Sequence, residues 1–300
     1  MLWERLVHRR PRDPDPGEFH RVAPSFARPR AAADRLTVTW VGHSTLLIQI
    51  DGLNVLTDPM WGQRASPVSF AGPRRWVPPG IGFDELPPID VVVLSHNHYD
   101  HLDEPTVRRL VARAPDAHWV TPLEVGAFVR ARGAARVDEL DWWEETTIGA
   151  LRFACAPAQH FSARGAGDRD ATLWASWSII GTNRRVHFGG DTGYHAGFAE
   201  IAWRHGPFDI AALPVGAYEP RWFMAPVHMN PDDAVKAFSD LRAGTTAARR
   251  MVMVPIHWGT FKLTDEAMDE PPRATRRAWD AAGLRADDLW LLAHGETRAL

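Results

Sequence analysis

Four short strand-like runs in this chain each lead into histidine or aspartate, and few folds can satisfy all four at once. VVVLS at 91–95 leads into His96-Asn97-His98-Tyr99-Asp100-His101, and LRFACAP at 151–157 leads into Ala158-Gln159-His160. RVHF at 185–188 is followed by Gly189-Gly190-Asp191-Thr192-Gly193, and MVMVP at 251–255 by Ile256-His257-Trp258-Gly259. Short continuous apolar runs read as strands buried on both faces. Polar groups at the ends of such strands are where layered α/β folds collect their ligands. The pattern therefore predicts sheets whose strand ends meet at one site.

A lone histidine after a strand is usually a satisfied structural residue, so the last three runs mean little one at a time. The first run is different, because His96, His98, Asp100 and His101 put four ligand types into six positions. In extended backbone, residues two apart point to the same side. His96 and His98 can thus grip one ion while the chain turns to bring Asp100 and His101 to a second. Imidazole suits zinc and related divalent ions, and a carboxylate is a natural harder partner. Asp191 is suited to bridging two cations, and its flanking glycines let backbone approach closely. The expected cofactor is a pair of zinc ions, with Mn2+ or Fe2+ as open alternatives.

The rest of the chain frames this constellation as one α/β unit. Residues 1–34 are rich in Pro, Arg and Asp without a sustained period and predict an irregular arm; residues 35–300 predict a single domain with no internal repeat or linker. LTVTWV, TLLIQI and NVLTD read as three consecutive strands, with Asp51-Gly52 turning between the last two. Residues 63–88 are loaded with Pro and Gly and predict a long excursion. Helices are expected near 105–113, 123–132, 196–205, 231–242 and 273–282, and further strands at 174–180, 209–214 and 288–292. Asp103 before Pro105 and Asn230 before Pro231 offer a capping side chain with Pro in the first turn.

The net charge of −3 lacks the basic excess of a nucleic-acid-binding protein, so no nucleic-acid partner is expected. Cys155 is the only cysteine, which excludes an intrachain disulfide. The N-terminal residues hold no apolar run of signal-peptide length, and no stretch approaches a membrane span. A cytoplasmic location is the default expectation, with peripheral membrane contact left open.

The motif HNHYDH with a later His, a GDTG aspartate and a last His is similar to the metallo-β-lactamase superfamily. That resemblance implies a four-layer αββα sandwich with a dinuclear metal site. It extends further: WVGHSTLLIQIDGLNVLTDPMW, RASPVSFAGPRRW, LPPIDVVVLSHNHYDHLD, ELDWWEE, SWSIIG, GDTGY, PVGAYEPRWFM and IHWGTF, in this order, resemble the N-acylphosphatidylethanolamine-hydrolysing phospholipase D family over residues 36–300. The resemblance implies that His96, His98 and His160 hold one zinc, that Asp100, His101 and His257 hold the other, and that Asp191 bridges them. It also implies that Asp58 supports a ligand histidine from outside the ligand set, and that His228 lies near the reacting phosphate. Asp191, Asp100 and His228 are then the catalytic candidates. Around His228 the chain departs from the family pattern, with Val227 where the family has Gln and Asn230 where it has Asp.

The implied reaction releases an N-acylethanolamine and phosphatidic acid from N-acylphosphatidylethanolamine. Trp222, Phe223 and Met224, between prolines just before His228, are candidates for contact with acyl chains or a membrane surface, and core packing is the alternative reading. The same metals would also serve a hydrolase of another small ester, phosphodiester or sugar-phosphate lactone. A non-catalytic metal-binding scaffold is the third reading. A homodimer is left open.

Overall fold

The strand runs that lead into the predicted site residues are buried along almost their whole length, because layers cover them on both faces. In the computed structural model, which describes residues 11–243 and 249–300, the first sheet has seven strands: β1 (Thr37–Gly42), β2 (Thr45–Ile50), β3 (Leu53–Thr57), β4 (Val91–Val93), β5 (His118–Pro122), β6 (Arg136–Leu140) and, on the outside of β1, β13 (Thr297–Ala299). The second has six, in the order β12 (Val252–Ile256), β11 (Ile210–Pro214), β10 (Arg185–Phe188), β9 (Ser176–Ile180), β8 (Leu151–Ala156) and β7 (Glu145–Ile148). Alternate residues of one strand serve different layers, as the pleat requires. Val91 and Val93 point into the core between the sheets, with Phe153, Trp177, Phe188 and Val254. Val92 and Leu94 point outward onto Val107, Leu110 and Val129.

Those outer residues belong to α1 (Glu104–Arg113) and α2 (Gly126–Arg130), which cover the first sheet. The second sheet is covered by α3 (Gly197–His205), α5 (Pro231–Arg242) and α6 (Glu270–Ala281) through Phe198, Ile201, Phe238, Leu241 and Trp279. The result is the four-layer αββα sandwich. Asp103 and Asn230 cap α1 and α5 as their sequences predict, each accepting a backbone N–H three residues on. A further short helix, α4 (Arg221–Met224), stands apart from these layers.

Strand direction places the site. β3, β4, β5 and β6 pair in parallel, and β1 runs with them because two antiparallel pairings separate it from β3. In the other sheet β10, β11 and β12 are parallel, and β8 runs the same way. The C-terminal ends of these strands carry His43, Asp58, the 95–101 loop, His160, Asp191 and His257.

The structure corrects several expectations. β5, β6 and β7 are strands in segments not read as such. β6 and β7 are rich in polar residues and partly exposed, so neither an apolar run nor full burial marks them. The expected strand at 288–292 is a 3-10 turn at Ala286–Asp288 and then a single bridge from Leu289 to Met253. Here the chain leaves the second sheet and crosses to pair as β13 with β1, so no ladder can continue along β12. α6 begins earlier than expected, its prolines occupying the first turn. The arm is irregular over 11–34 apart from a 3-10 turn at Pro16–Glu18, and its first ten residues lie outside the described residues.

Candidate metal centre

All seven expected ligands converge. The loop after β4 turns where the N–H groups of His101 and Leu102 donate to His98 O, which brings Asp100 and His101 beside His257. Arg164 braces this loop by donating to the carbonyls of Asn97 and Leu102. Gly190, at φ 57, packs so close to Ser95 that a Cβ there would meet the Ser95 Cβ at 2.6 Å. Only glycine lets the Asp191 loop seat against the histidine loop.

Two groups of side chains result. Nε2 of His96 lies 2.8 Å, and Nε2 of His160 3.2 Å, from Nδ1 of His98, with Asp191 beside them. In the second group Asp100 Oδ2 lies 3.4 Å from Nε2 of both His101 and His257, and 2.9 Å from Nε2 of His43. Asp191 Oδ2 joins the groups, 3.1 Å from Nε2 of His101 and of His257, 3.9 Å from that of His96 and 3.8 Å from that of His160. Asp191 Oδ2 therefore lies between the two groups.

Hydrogen bonds outside the groups set which nitrogen of each ring faces inward. His160 Nδ1–H donates to Val227 O at 2.9 Å, and His101 Nδ1–H donates to Asp58 Oδ2 at 2.7 Å. The Ser95 hydroxyl donates to the same Asp58 oxygen at 2.6 Å, which leaves its oxygen to accept from His96 Nδ1 at 2.9 Å. In all three histidines Nε2 is the nitrogen left facing the site.

The donor set fits divalent cations. His101 Nε2, both nitrogens of His257 and Asp191 Oδ1 are buried without a hydrogen-bond partner among the described residues. Buried polar atoms left this way are costly unless something else satisfies them. Inward imidazole nitrogens about 3 Å apart also repel unless a proton or a cation lies between them, and a tetrahedral zinc with bonds of about 2.05 Å sets them roughly 3.3 Å apart.

The electrostatics agree. Burial pushes the Asp191 and Asp100 carboxyls up, but cationic His101 and His257 outweigh it and hold both well below the usual carboxylate range. Burial pulls His257 down, and Asp191 and Asp100 more than reverse it, to about 9. Protons on His101 and His257 thus occupy the place of positive charge that a metal would take. His96 and His160 are held neutral, first by burial and then by neighbouring histidines.

His228 is buried, with Nδ1 unpartnered, and its ring centroid lies 5.0 Å from that of His160 and 5.3 Å from that of His257. Burial holds it neutral, at about 4. It is not a solvent-exposed loop histidine. Arg221 of α4 fixes its backbone, donating to His228 O at 2.9 Å while pairing with Asp233 at 2.6 Å. Trp222 and Phe223 are 62% and 60% exposed, which excludes the core reading for both. With Met224 they line a cavity of about 1160 Å3 that also touches Leu263 and Ala267.

Two contributors went unread in the sequence, His43 and Ser95. His43 follows β1 as the ligands follow their strands, and that position was its signal. Nothing in the sequence marks Ser95 as the link between Asp58 and His96.

The chain matches the model of the Beta-lactamase superfamily domain over residues 53–258. It is 48% identical over 246 residues to an uncharacterized protein of Mycobacterium tuberculosis, covering 81% of this chain and 63% of that protein. The chain therefore spans less than two thirds of that relative's length. It is 41% identical over 257 residues to N-acyl-phosphatidylethanolamine-hydrolyzing phospholipase D 1 of Caenorhabditis elegans, covering 82% of this chain and 70% of the nematode protein. In fold it is similar to a metallo hydrolase from the archaeon Ignicoccus hospitalis, with a TM-score of 0.63 and 20% identity over 89% of this chain and 98% of the other.

Proposed function

Since the chain belongs to the metallo-β-lactamase superfamily, in the family that includes N-acyl-phosphatidylethanolamine-hydrolyzing phospholipase D, we propose that it is a dinuclear zinc phosphodiesterase releasing N-acylethanolamine and phosphatidic acid from N-acylated phosphatidylethanolamine. The observation that carries this reading is the meeting of two ligand groups around Asp191, with buried His228 against them and an aromatic-lined cavity beginning a few residues away.

Divalent ions at such a site bring the pKa of water toward neutrality and offset the charge of an anionic phosphodiester. His96, His98 and His160 would hold one, Asp100, His101 and His257 the other, and Asp191 both. Asp58 and Ser95 keep the rings turned so that Nε2 faces inward. Burial pulls His228 toward its neutral form, in which it would serve the leaving oxygen as an N–H hydrogen-bond donor. Trp222, Phe223 and Met224 would take the acyl chains or rest on the bilayer surface. Among the described residues no helix is long and apolar enough to cross a membrane.

The test is to incubate zinc-loaded protein with vesicles containing N-acylphosphatidylethanolamine, and separately with a small phosphodiester and a panel of lactones, and to identify products by mass. Equal amounts of N-acylethanolamine and phosphatidic acid are expected. Turnover of a lactone or small diester with the lipid untouched would replace the substrate class. Protein that holds two metal equivalents but hydrolyses nothing would favour the scaffold reading.

A further inference from the structure

Three of the ligand histidines are each turned by one hydrogen bond from outside the ligand groups: Ser95 turns His96, Asp58 turns His101, and Val227 O turns His160. Asp100 has one such contact as well, and it comes from a residue outside the seven. His43 lies at the end of β1, buried, with its Nε2 2.9 Å from Asp100 Oδ2.

The chain around His43 leaves its ring little freedom. Its φ of 55 lies in the left-handed region, which side chains other than glycine rarely adopt, with Asn, Asp and His the most tolerant. Three hydrogen bonds hold that backbone: its N–H donates to Thr260 Oγ1 at 2.8 Å, and its carbonyl accepts from Trp40 Nε1 at 2.9 Å and from His257 N at 3.0 Å. The ring lies 4.1 Å from that of His257 and meets Phe261 edge-on at 5.3 Å. A strained, clamped and sandwiched imidazole is thereby aimed at one carboxylate oxygen.

His43 sits in one cluster of possible donors with Asp100, His101 and His257, but its pairing differs from theirs. His101 and His257 each bring Nε2 to within 3.4 Å of Asp100 and 3.1 Å of Asp191. Among the described residues, the His43 ring pairs with one carboxylate, that of Asp100. We infer that His43 is a positioning residue: its Nε2–H donates to Asp100 Oδ2 and fixes the carboxylate in the orientation in which it serves the second ion, without itself being a ligand. This rests on the metal reading above and names the residue on which one half of the site depends.

The test uses the full chain, stripped of metal and titrated with zinc against a chromophoric chelator. His43→Asn keeps a residue tolerant of the left-handed backbone but is too short to reach Asp100. His43→Gln restores an N–H near the position of Nε2. Loss of such an outer partner typically weakens metal binding roughly 10–100-fold. The Asn variant should therefore bind one zinc equivalent as the unaltered protein does and the other about 10–100-fold more weakly. The Gln variant should recover part of the loss, and the cobalt-substituted Asn variant should show an altered absorption band for one ion. The metal-free thermal midpoint should stay within a few degrees of the unaltered protein's. Unchanged affinity for both equivalents overturns the inference. So does weakening of both together with a lowered metal-free midpoint, which would mark His43 as a structural residue. Unaltered protein that takes up fewer than two equivalents would overturn the dinuclear reading and this inference with it, and that outcome is separable because it needs no variant.

Discussion

Asp58 serves two ligand histidines with one carboxylate. It lies at the end of β3 with φ 34, fully buried, and burial pushes its carboxyl up against the opposing hydrogen bonds of His101 and of the Ser95 side chain and backbone. Through Oδ2 it turns His101 directly and His96 by way of the Ser95 hydroxyl. These two histidines belong to different ligand groups. Ser95→Ala should therefore weaken one zinc equivalent, whereas Asp58→Ala should weaken both, each by roughly 10–100-fold. Zinc titration of the two variants checks this. Equal effects of Ser95→Ala on both equivalents would show that the hydroxyl does not act through His96.

Two elements carry chemistry that their sequence hides. α4 presents Trp222 and Phe223 to solvent beside the cavity, so replacing both with Ser should leave the melting temperature nearly unchanged. If they contact lipid, turnover of vesicle-borne substrate should fall at least tenfold, since apolar contact of a large side chain contributes about 1.5–3 kcal/mol. Turnover of a small soluble diester should persist, and equal loss on both substrates would refute the lipid role. β10 buries His187 against Phe198 and Phe208, with neither nitrogen hydrogen-bonded among the described residues. Burial, then His195 and His205, pull its pKa down to about 3. Between its ordinary value of 6.5 and that value the unfolded chain binds the extra proton. The contribution to stability is thus full above pH 6.5 and falls by about 1.4 kcal/mol per pH unit as pH drops through the window. His187→Leu should raise stability at neutral pH by about 1 kcal/mol and flatten the acid limb, as denaturant melts from pH 7 to 4 would show.

At the scale of the whole molecule the centre links the two sheets. His96, His98, Asp100 and His101 come from the first sheet, and His160, Asp191 and His257 from the second. Bound zinc should stabilise the sandwich by about 4 kcal/mol at a thousandfold excess over Kd, worth roughly 10 °C in melting temperature. In the metal-free protein His257 is raised to about 9 by Asp191 and Asp100 against the pull of burial. A group raised in the folded state contributes stability that is complete below its unfolded value of 6.5 and is lost as pH climbs through 9. The metal-free melting temperature should accordingly fall between pH 6.5 and 9. Zinc affinity should rise over the same window, because the ion must displace that proton. Calorimetry with and without chelator at three pH values measures both, and a flat metal-free profile would refute the assignment of His257.

The donor types, the strands that carry them and the need for covering layers were legible in the sequence. The donor types are covalent facts, their spacing on extended chain is set by backbone geometry, and strands apolar on both faces require covering layers. HNHYDH, Asp191 and His257 could be read because each follows its own strand. Contacts between distant segments were settled by packing. His43 meets Asp100 because β1 is brought parallel to β3 and β4, and Ser95 links Asp58 to His96 because β3 and β4 end side by side. His228 is buried and Trp222 exposed although they lie six positions apart, since burial is set by what packs from elsewhere in the chain. β6 and β7 are strands through partners that their own polar residues do not announce. A side chain's identity is local, but its hydrogen-bond partner and its access to water are properties of the fold.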